Sequence, residues 1–249
     1  MSPFSPADPR HGALEKMREM TVEFERDGIP SENARRSLVN DSRVMDGRFF
    51  LRVHAFKPTG VALGYPLPSR RLEATFSALC DNAEEILQRI CGNCGPVLSR
   101  VPPEAYHITL VNRTHFDDGR SKVRPMTRAE KAQAERIVCE QECGSIAVRY
   151  RGLLATKSGR LMVPALLDDT RVFRLKDALR DGVLGGRRRQ PVLAAKYPVH
   201  TLTKLGHIVV PLEGVRLRRF LDWLREEGAK IDASARFTDA YTQLGRIPL

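Results

Sequence analysis

Apolar positions along the chain follow two periods, one typical of helices and one typical of strands. Between residues 70 and 91, apolar side chains recur at intervals of three and four, which predicts an amphipathic helix ended by Gly92. The pair Thr127 and Glu130 matches a capping box and predicts the start of another helix, running to about Glu142. In residues 146–150, bulky apolar side chains alternate with smaller or polar ones, which predicts a half-exposed strand. Helices and strands are thus interspersed, which indicates an α+β protein.

The first 46 residues read as a segment of their own. A helix can begin at Pro9, apolar residues follow at helical spacing, and Gly28 can end it. We interpret residues 1–46 as a helical extension that packs over the core, with a lid over the functional site as the alternative.

The remaining residues, 47–249, are predicted to form one domain with two lobes, approximately 47–144 and 145–249. Each half carries strands, a helix packed across them, a strand that begins with a histidine, and another helix. No repeat of the sequence itself accompanies this shared order of elements.

Both of those histidine-bearing strands are short and apolar. Residues 106–112 read Tyr-His-Ile-Thr-Leu-Val-Asn, and the period of two along a strand puts His107 and Thr109 on the same face. Residues 206–212 read Gly-His-Ile-Val-Val-Pro-Leu, so His207 begins the second strand. Imidazoles titrate near neutral pH, and a pair of them can act as the acid and the base of one reaction.

These motifs resemble those of the two-histidine phosphoesterases, the group that includes bacterial RNA 2′,3′-cyclic phosphodiesterases (2′-5′ RNA ligases). The hallmark of that family is a pair of His-x-Thr/Ser-x motifs. The first motif matches in full at residues 107–110, and the second matches in part, because Val209 stands where the hydroxyl residue belongs. The similarity runs from about Phe49 to Leu249 in the order of elements. It implies a bilobal, pseudo-symmetric pair of antiparallel sheets flanked by helices, with one motif from each lobe at a central cleft.

The resemblance also implies an activity. It is that of a metal-independent phosphodiesterase, a phosphoric diester hydrolase that acts on a 2′,3′-cyclic phosphate or a 2′-5′ linkage in RNA or a small nucleotide. His107 and His207 would be the general acid and base, in an order that the sequence leaves open. Thr109 would donate a hydrogen bond to the negative charge that grows on the phosphate oxygens.

Further side chains are candidates for binding the substrate. Near the second motif, Thr201, Thr203 and Lys204 can replace the hydroxyl that is missing from it. Aromatic rings can stack on bases, and arginine can pair with phosphate. The candidates of this second kind are Tyr106, Arg149, Tyr150 and Tyr241.

Two alternatives stay open. His200 begins a rival register for the second motif, His-Thr-Leu-Thr, which also lacks a hydroxyl two positions on. His207 is preferred because it begins the apolar run. Since the methyl groups of Val209 cannot donate a hydrogen bond, the chain is alternatively a nucleotide- or RNA-binding module on the same scaffold with impaired catalysis.

The net charge and the hydropathy of the chain limit the kinds of partner that we expect it to bind. The chain carries 41 Lys and Arg against 30 Asp and Glu, a formal net charge of +11, which favours an anionic partner such as RNA or a nucleotide. No apolar run approaches the ~18 residues of a membrane-spanning helix, and no secretory signal is visible. We therefore expect a cytoplasmic monomer without membrane contact.

The five cysteines favour free thiols, because an odd number argues against a disulfide framework. The pairs Cys91 with Cys94 and Cys139 with Cys143 could in principle hold zinc, although their spacing is not that of a zinc ribbon. We expect neither a metal nor another cofactor.

Overall fold

The computed structural model describes residues 9–34, 42–45, 48–51, 60–63, 69–92, 95–112, 114–117, 120–123, 126–183, 202–242 and 244–249. Its helices are α1 (Pro9–Asp27), α2 (Arg70–Cys91), α3 (Arg128–Glu140), α4 (Arg171–Val183) and α5 (Gly214–Lys230). Its strands are β1 (Ser42–Met45), β2 (Arg48–Leu51), β3 (Gly60–Leu63), β4 (Leu98–Arg100), β5 (Ile108–Asn112), β6 (Thr114–Asp117), β7 (Arg120–Val123), β8 (Ile146–Arg151), β9 (Leu154–Ala155), β10 (Arg160–Leu167), β11 (Leu202–Ile208), β12 (Asp232–Phe237), β13 (Asp239–Thr242) and β14 (Gly245–Pro248).

Two main sheets organise these strands. The larger sheet has the order β1-β2-β4-β11-β10-β8-β12, with β9 also paired to β10, and the smaller sheet has the order β14-β13-β3-β5. Neighbouring strands are antiparallel except for the parallel pair β2 and β4. Strands β6 and β7 form a separate hairpin. The predicted α+β fold with antiparallel sheets flanked by helices is therefore confirmed.

Helix α2 covers one face of the larger sheet. Its serine N-cap, Ser69, accepts a hydrogen bond from the amide of Leu72, and the helix ends at Gly92 as predicted. The apolar side of α2 is buried, including Phe76, which is fully inaccessible to solvent. From β4, the buried guanidinium of Arg100 reaches α2 and pairs with two of its carboxylates. Residues of the sheet that point towards α2 are therefore enclosed in the core.

Helices α3 and α4 pack together, and α4 also packs against β5. The predicted capping box at the start of α3 is present, since Thr127 accepts from the amide of Glu130 while the Glu130 carboxylate accepts from the amide of Thr127. The helix ends at Glu140, two residues before the expected end, and Gln141 and Glu142 form a turn.

The N-terminal helix is held against the rest of the chain. After α1 the backbone turns at Gly28, whose φ of +62° favours glycine, and a Cβ there would lie 2.0 Å from the carbonyl oxygen of Leu212. Ile29 and Leu212 exchange two backbone hydrogen bonds of 3.0 Å. Phe24 packs edge to face on Phe220 of α5, with ring centroids 6.2 Å apart. The residues after α1 are thus fixed to the strand-to-helix connection that precedes α5.

Both sheets combine strands from the two ranges predicted as lobes. The smaller sheet contains β3 and β5 of the first range and β13 and β14 of the second, and the larger sheet is mixed in the same way. The lobe boundaries and the pseudo-symmetry stay predictions. None of the helices in the described part of the chain combines the length and hydropathy of a membrane-spanning segment.

Candidate functional site

His107 lies directly before β5, after a single 3-10 turn at Pro103–Ala105. Its Nδ1 is 2.8 Å from the carbonyl oxygen of Ala105. Because a carbonyl only accepts hydrogen bonds, Nδ1 carries the proton of the neutral ring and Nε2 keeps the basic lone pair. Burial lowers the pKa of His107, the Ala105 carbonyl partly offsets this, and the ammonium of Lys204 lowers the pKa further. The imidazole is therefore neutral at pH 7.

Thr109 and His107 are both half-buried, whereas Ile108 between them is completely buried. This exposure pattern agrees with the predicted alternation. Across the smaller sheet, Thr109 pairs with Ala62, and Ala62 pairs with Tyr241 of β13. Tyr241 therefore lies on the same side of this sheet as Thr109, two strands away, or about 10 Å between backbones.

His207 lies inside the larger sheet, on β11, directly opposite Arg160 of β10. The imidazole hydrogen-bonds to the backbone carbonyl of Ser158, which raises its pKa. Burial has the larger effect, and together with the charges of Lys204 and Arg160 it lowers the pKa of His207 to about 3. His207 is thus a neutral ring oriented by a backbone carbonyl, as His107 is.

A β-bulge in β11 decides which side chains accompany His207. Leu161 of β10 pairs with Gly206, but the next residue of β10 pairs with Lys204, so Leu205 is an extra residue without a partner of its own. In a regular strand, residues three apart point to opposite faces. Because of the extra residue, Lys204 and His207 point to the same face of the sheet, in agreement with the effect of this lysine on the pKa of the imidazole.

Lys204 also connects the two histidines. Its ammonium lowers the pKa of His107, next to the smaller sheet, and of His207, in the larger sheet. Such an effect weakens with distance, and it agrees with the direct contact between β11, which carries Lys204, and β5, which His107 precedes. Burial and the guanidinium of Arg160 in turn lower the pKa of Lys204 to about 7. We call these four residues the cationic cluster.

Among the residues that the structure describes, neither Lys204 nor Arg160 pairs with a carboxylate. No Asp or Glu there contributes to the pKa of His107, Lys204 or His207. The guanidinium of Arg160 forms no ion pair within the same ranges. Lys204 and Arg160, whose charges lower the pKa of neighbouring basic groups, make a region of positive potential, which favours a bound anion.

Three of the predicted substrate-binding residues lie in the core instead. Tyr106 is 2% exposed, and Tyr150 and Thr203 are completely buried. Both tyrosine rings meet Phe76 of α2 edge to face, at centroid distances of 5.5 and 5.2 Å. The hydroxyl groups of Tyr150 and Thr203 are buried without a well-formed hydrogen bond in the described part of the chain. The structure therefore places these side chains on the α2 side of the sheet, away from the face that bears Lys204 and His207.

Arg149 is exposed and lies on β8. Its guanidinium is 2.6 Å from a carboxylate oxygen of Asp168, and this contact raises the pKa of the arginine. In the register of β10, Arg149 pairs with Leu166, six residues along the strand from the position opposite His207. Six residues of strand span about 20 Å, so the structure does not bring Arg149 to the cationic cluster.

Val209, which stands where the second motif lacks its hydroxyl, is buried. Val209 is 3% exposed, and its amide donates to the carbonyl oxygen of Val97 at 3.0 Å. It offers a phosphate neither a hydroxyl nor an available amide donor. His200 and Thr201 lie outside the described residues, so the rival register is untested.

A groove with a volume of about 530 Å³ lies elsewhere, between α2, the end of α5 and β12. Neither histidine lines it. Since α2 covers the face of the larger sheet opposite Lys204 and His207, the groove and the cationic cluster are separate regions. Within the described ranges, no three His, Cys, Asp or Glu side chains converge as metal ligands, and Cys94 lies outside those ranges.

Sequence reasoning missed Arg160 and Ser158. Ser158 lies in the turn between β9 and β10, and Arg160 is the first residue of β10. Nothing local distinguishes them from an ordinary polar turn before a strand. Their relation to His207 depends on the pairing of β10 with β11, two strands that lie far apart in the sequence because β10 ends at Leu167 and β11 begins at Leu202. This relation is visible only when the register of β10 and β11 is known.

No protein-family model matches the chain, and no curated protein matches it in sequence.

Proposed function

We propose that this protein is a metal-independent phosphodiesterase that hydrolyses 2′,3′-cyclic phosphates or 2′-5′ linkages in RNA or a small nucleotide, with His107 and His207 as general acid and base. The observation that carries the proposal is that one ammonium, that of Lys204, lowers the pKa of both imidazoles. Two neutral imidazoles near one cation suit a reaction in which an anionic phosphate needs one group to accept a proton and one to donate it.

The proposed reaction transfers two protons. One histidine takes a proton from water as the water oxygen bonds to phosphorus. The bond between phosphorus and a ribose oxygen then breaks, and the other histidine donates a proton to that oxygen. Which histidine plays which part stays open. Thr109, on the face of His107, would donate a hydrogen bond to a non-bridging oxygen.

The cationic cluster explains how an imidazole with a low pKa can serve as an acid. In the free protein, burial and neighbouring positive charges keep both rings neutral. A bound phosphate brings negative charge between these groups, which favours the protonated imidazole and raises its pKa. Substrate binding and protonation of one histidine are thus coupled.

The same observation supports a cleft between the two sheets, which we include in the proposal. His107 directly precedes β5 of the smaller sheet and His207 lies on β11 of the larger one, so a substrate that contacts both would lie between the sheets. The net charge of +11 supports RNA or a nucleotide as the partner.

The proposal is tested by offering 2′,3′-cyclic nucleotides and 2′-5′-linked oligoadenylates to the protein in excess EDTA. Turnover of either class that persists in EDTA is expected, because the protons are moved by side chains. Absence of turnover with every substrate would remove the proposal, and turnover abolished by EDTA and restored by zinc would remove its metal-independent part.

A second candidate is a nucleotide- or RNA-binding module with impaired catalysis. Val209 favours it, because the second motif lacks a hydrogen-bond donor and the valine is buried. This alternative predicts tight binding that weakens steeply with salt and yields no product. Product formation at any substantial rate would exclude it.

Arg160 and Lys204 are expected to act mainly in binding. Arg160→Met and Lys204→Met should each raise KM for 2′,3′-cyclic CMP about tenfold, because each removes a charge-assisted contact to the phosphate. Steady-state kinetics at fixed ionic strength measure this. Arg89→Met is the matched control, since Arg89 is exposed on α2 and pairs with Glu85 of the same helix. KM unchanged in both cluster variants would contradict the assigned role.

The pH dependence of KM tests Lys204 separately. The pKa of Lys204 is lowered to about 7, so its charge is lost as pH rises through that value. A cyclic phosphodiester stays a monoanion throughout, and KM should therefore rise on the alkaline side of pH 7. Lys204→Met should remove this rise. Arg160→Met should keep it but move it to higher pH, because the guanidinium of Arg160 is one of the causes that lower the pKa of Lys204.

A further inference from the structure

The turn at residues 156–159, which precedes the residue opposite His207, contacts the N-terminal segment, residues 9–34. At the start of β10, Arg160 lies opposite His207, and the nearby carbonyl of Ser158 acts on the His207 imidazole as a hydrogen-bond acceptor that raises its pKa. The preceding residue, Lys157, makes two contacts with the N-terminal segment. Its ammonium lies 2.9 Å from Oδ2 of Asp27, and its carbonyl oxygen accepts a hydrogen bond of 3.0 Å from Nδ2 of Asn33.

Internal hydrogen bonds make this turn a compact unit. Thr156 Oγ1 lies 3.0 Å from Ser158 Oγ and accepts from the amide of Arg160 at 3.1 Å. The amide of Gly159 donates to the carbonyl of Thr156 at 2.8 Å, and the carbonyl of Gly159 accepts from the amide of Ile208 at 2.7 Å. Displacement of Lys157 would therefore shift the Ser158 carbonyl as well.

Asp27 and Asn33, the partners of Lys157, are themselves fixed to the rest of the chain. Asn33 follows Ile29, whose backbone is paired with Leu212, and Asp27 ends helix α1, which packs on α5. Arg26 and then Lys157 lower the pKa of Asp27, so its carboxylate is ionised at all working pH values. The N-terminal segment can thus act as a fixed support for the turn.

We propose that Asp27 and Asn33 are positioning residues for His207, acting through Lys157 and the carbonyl of Ser158. A carbonyl that accepts from one ring nitrogen decides which nitrogen keeps the lone pair, and so which one can exchange a proton with a substrate. The N-terminal segment then has a role in the site without touching the substrate. The effect on the imidazole stands by itself, and the effect on turnover rests on the proposed phosphodiesterase function.

The test uses Asn33→Ala and Asp27→Asn, with Glu32→Ala as the control on an exposed neighbour. Nitrogen-15 NMR of the histidine rings at pH 7 reads the tautomer, and the signal of His207 is identified by its loss in His207→Gln. We expect one tautomer in the parent protein and in Glu32→Ala. In the other two variants, the shifts should move towards the average of both tautomers. In the same variants kcat for 2′,3′-cyclic CMP should fall about tenfold while KM stays within twofold.

The outcomes separate positioning from simple packing. A lower thermal midpoint with an unchanged tautomer and unchanged kcat, in either variant, would overturn the proposal, because the segment would then only add stability. If the parent protein proves to have no phosphodiesterase activity, the tautomer of His207 still tests whether Asp27 and Asn33 position this ring. Should Asn33→Ala fail to fold, as judged by circular dichroism, Asp27→Asn decides it, since that change removes a charge and keeps the shape of the side chain.

Discussion

His107→Ala and His207→Ala should each lower kcat/KM for 2′,3′-cyclic CMP by about 10³-fold, with most of the loss in kcat. A positioned acid or base contributes this much because it moves a proton in the transition state. The double variant should lose little more than either single variant, since an acid and a base of one reaction act as a unit. Single-substrate kinetics of the three variants, with EDTA present, measure these effects.

The matched control is His11→Ala. His11 lies in α1, and its Nδ1 has no hydrogen-bond partner in the part of the chain that the structure describes. Loss of this imidazole should leave kcat/KM within about twofold, because His11 belongs to neither motif. If either motif histidine behaved like His11, that histidine would not be the acid or the base. In the case of His207, the rival His200 would then be the residue to substitute.

Lys176→Met should stabilise the folded protein by about 3 kcal/mol at pH 7. Lys176 lies on α4, is 8% exposed, and has a pKa lowered to about 7 by burial, with Asp177 acting weakly in the opposite direction. The unfolded chain holds this proton up to pH ~10.4. Between these values the unfolded state binds more protons, so stability rises with pH across the window and is lowest at and below pH 7.

Urea unfolding at several pH values measures the effect. The pKa of Lys204 is lowered to the same value, about 7, so Lys204 contributes equally to the rise in stability between pH 7 and 10. Lys176→Met should therefore roughly halve this rise rather than abolish it. The control is Lys131→Met, which breaks a surface pair with Glu135 and should change stability by less than about 0.5 kcal/mol. An unfolding free energy that did not increase in Lys176→Met would show that the ammonium reaches solvent or a partner.

Much of the local structure could be predicted from the chain alone. The period of apolar residues in α2, the capping box of α3 and the glycine after α1 each involve residues within a few positions of one another. The alternation that puts His107 and Thr109 on one face is local in the same way. Such features depend on backbone geometry that repeats along the chain, so they can be read without knowing what lies opposite.

The burial of Tyr106, Tyr150 and Thr203 could not be predicted in this way. Polar aromatic and hydroxyl side chains next to a motif are compatible with a cleft or a core, and the choice depends on which face of the sheet α2 covers. Arg160 was missed for a related reason. It faces His207 only because β10 and β11 pair in one particular register.

The helices, the main strands, the excess of positive charge and the two histidine motifs can be read from the amino-acid sequence, because none of them depends on which distant residues meet in the folded chain. That Lys204 acts on both imidazoles, and the Ser158 carbonyl on one of them, follows from the folded chain instead. The cause is the bulge at Leu205 together with the register of β11. One extra residue exchanges the two faces of a strand, and the hydrophobic pattern alone does not show where that exchange occurs.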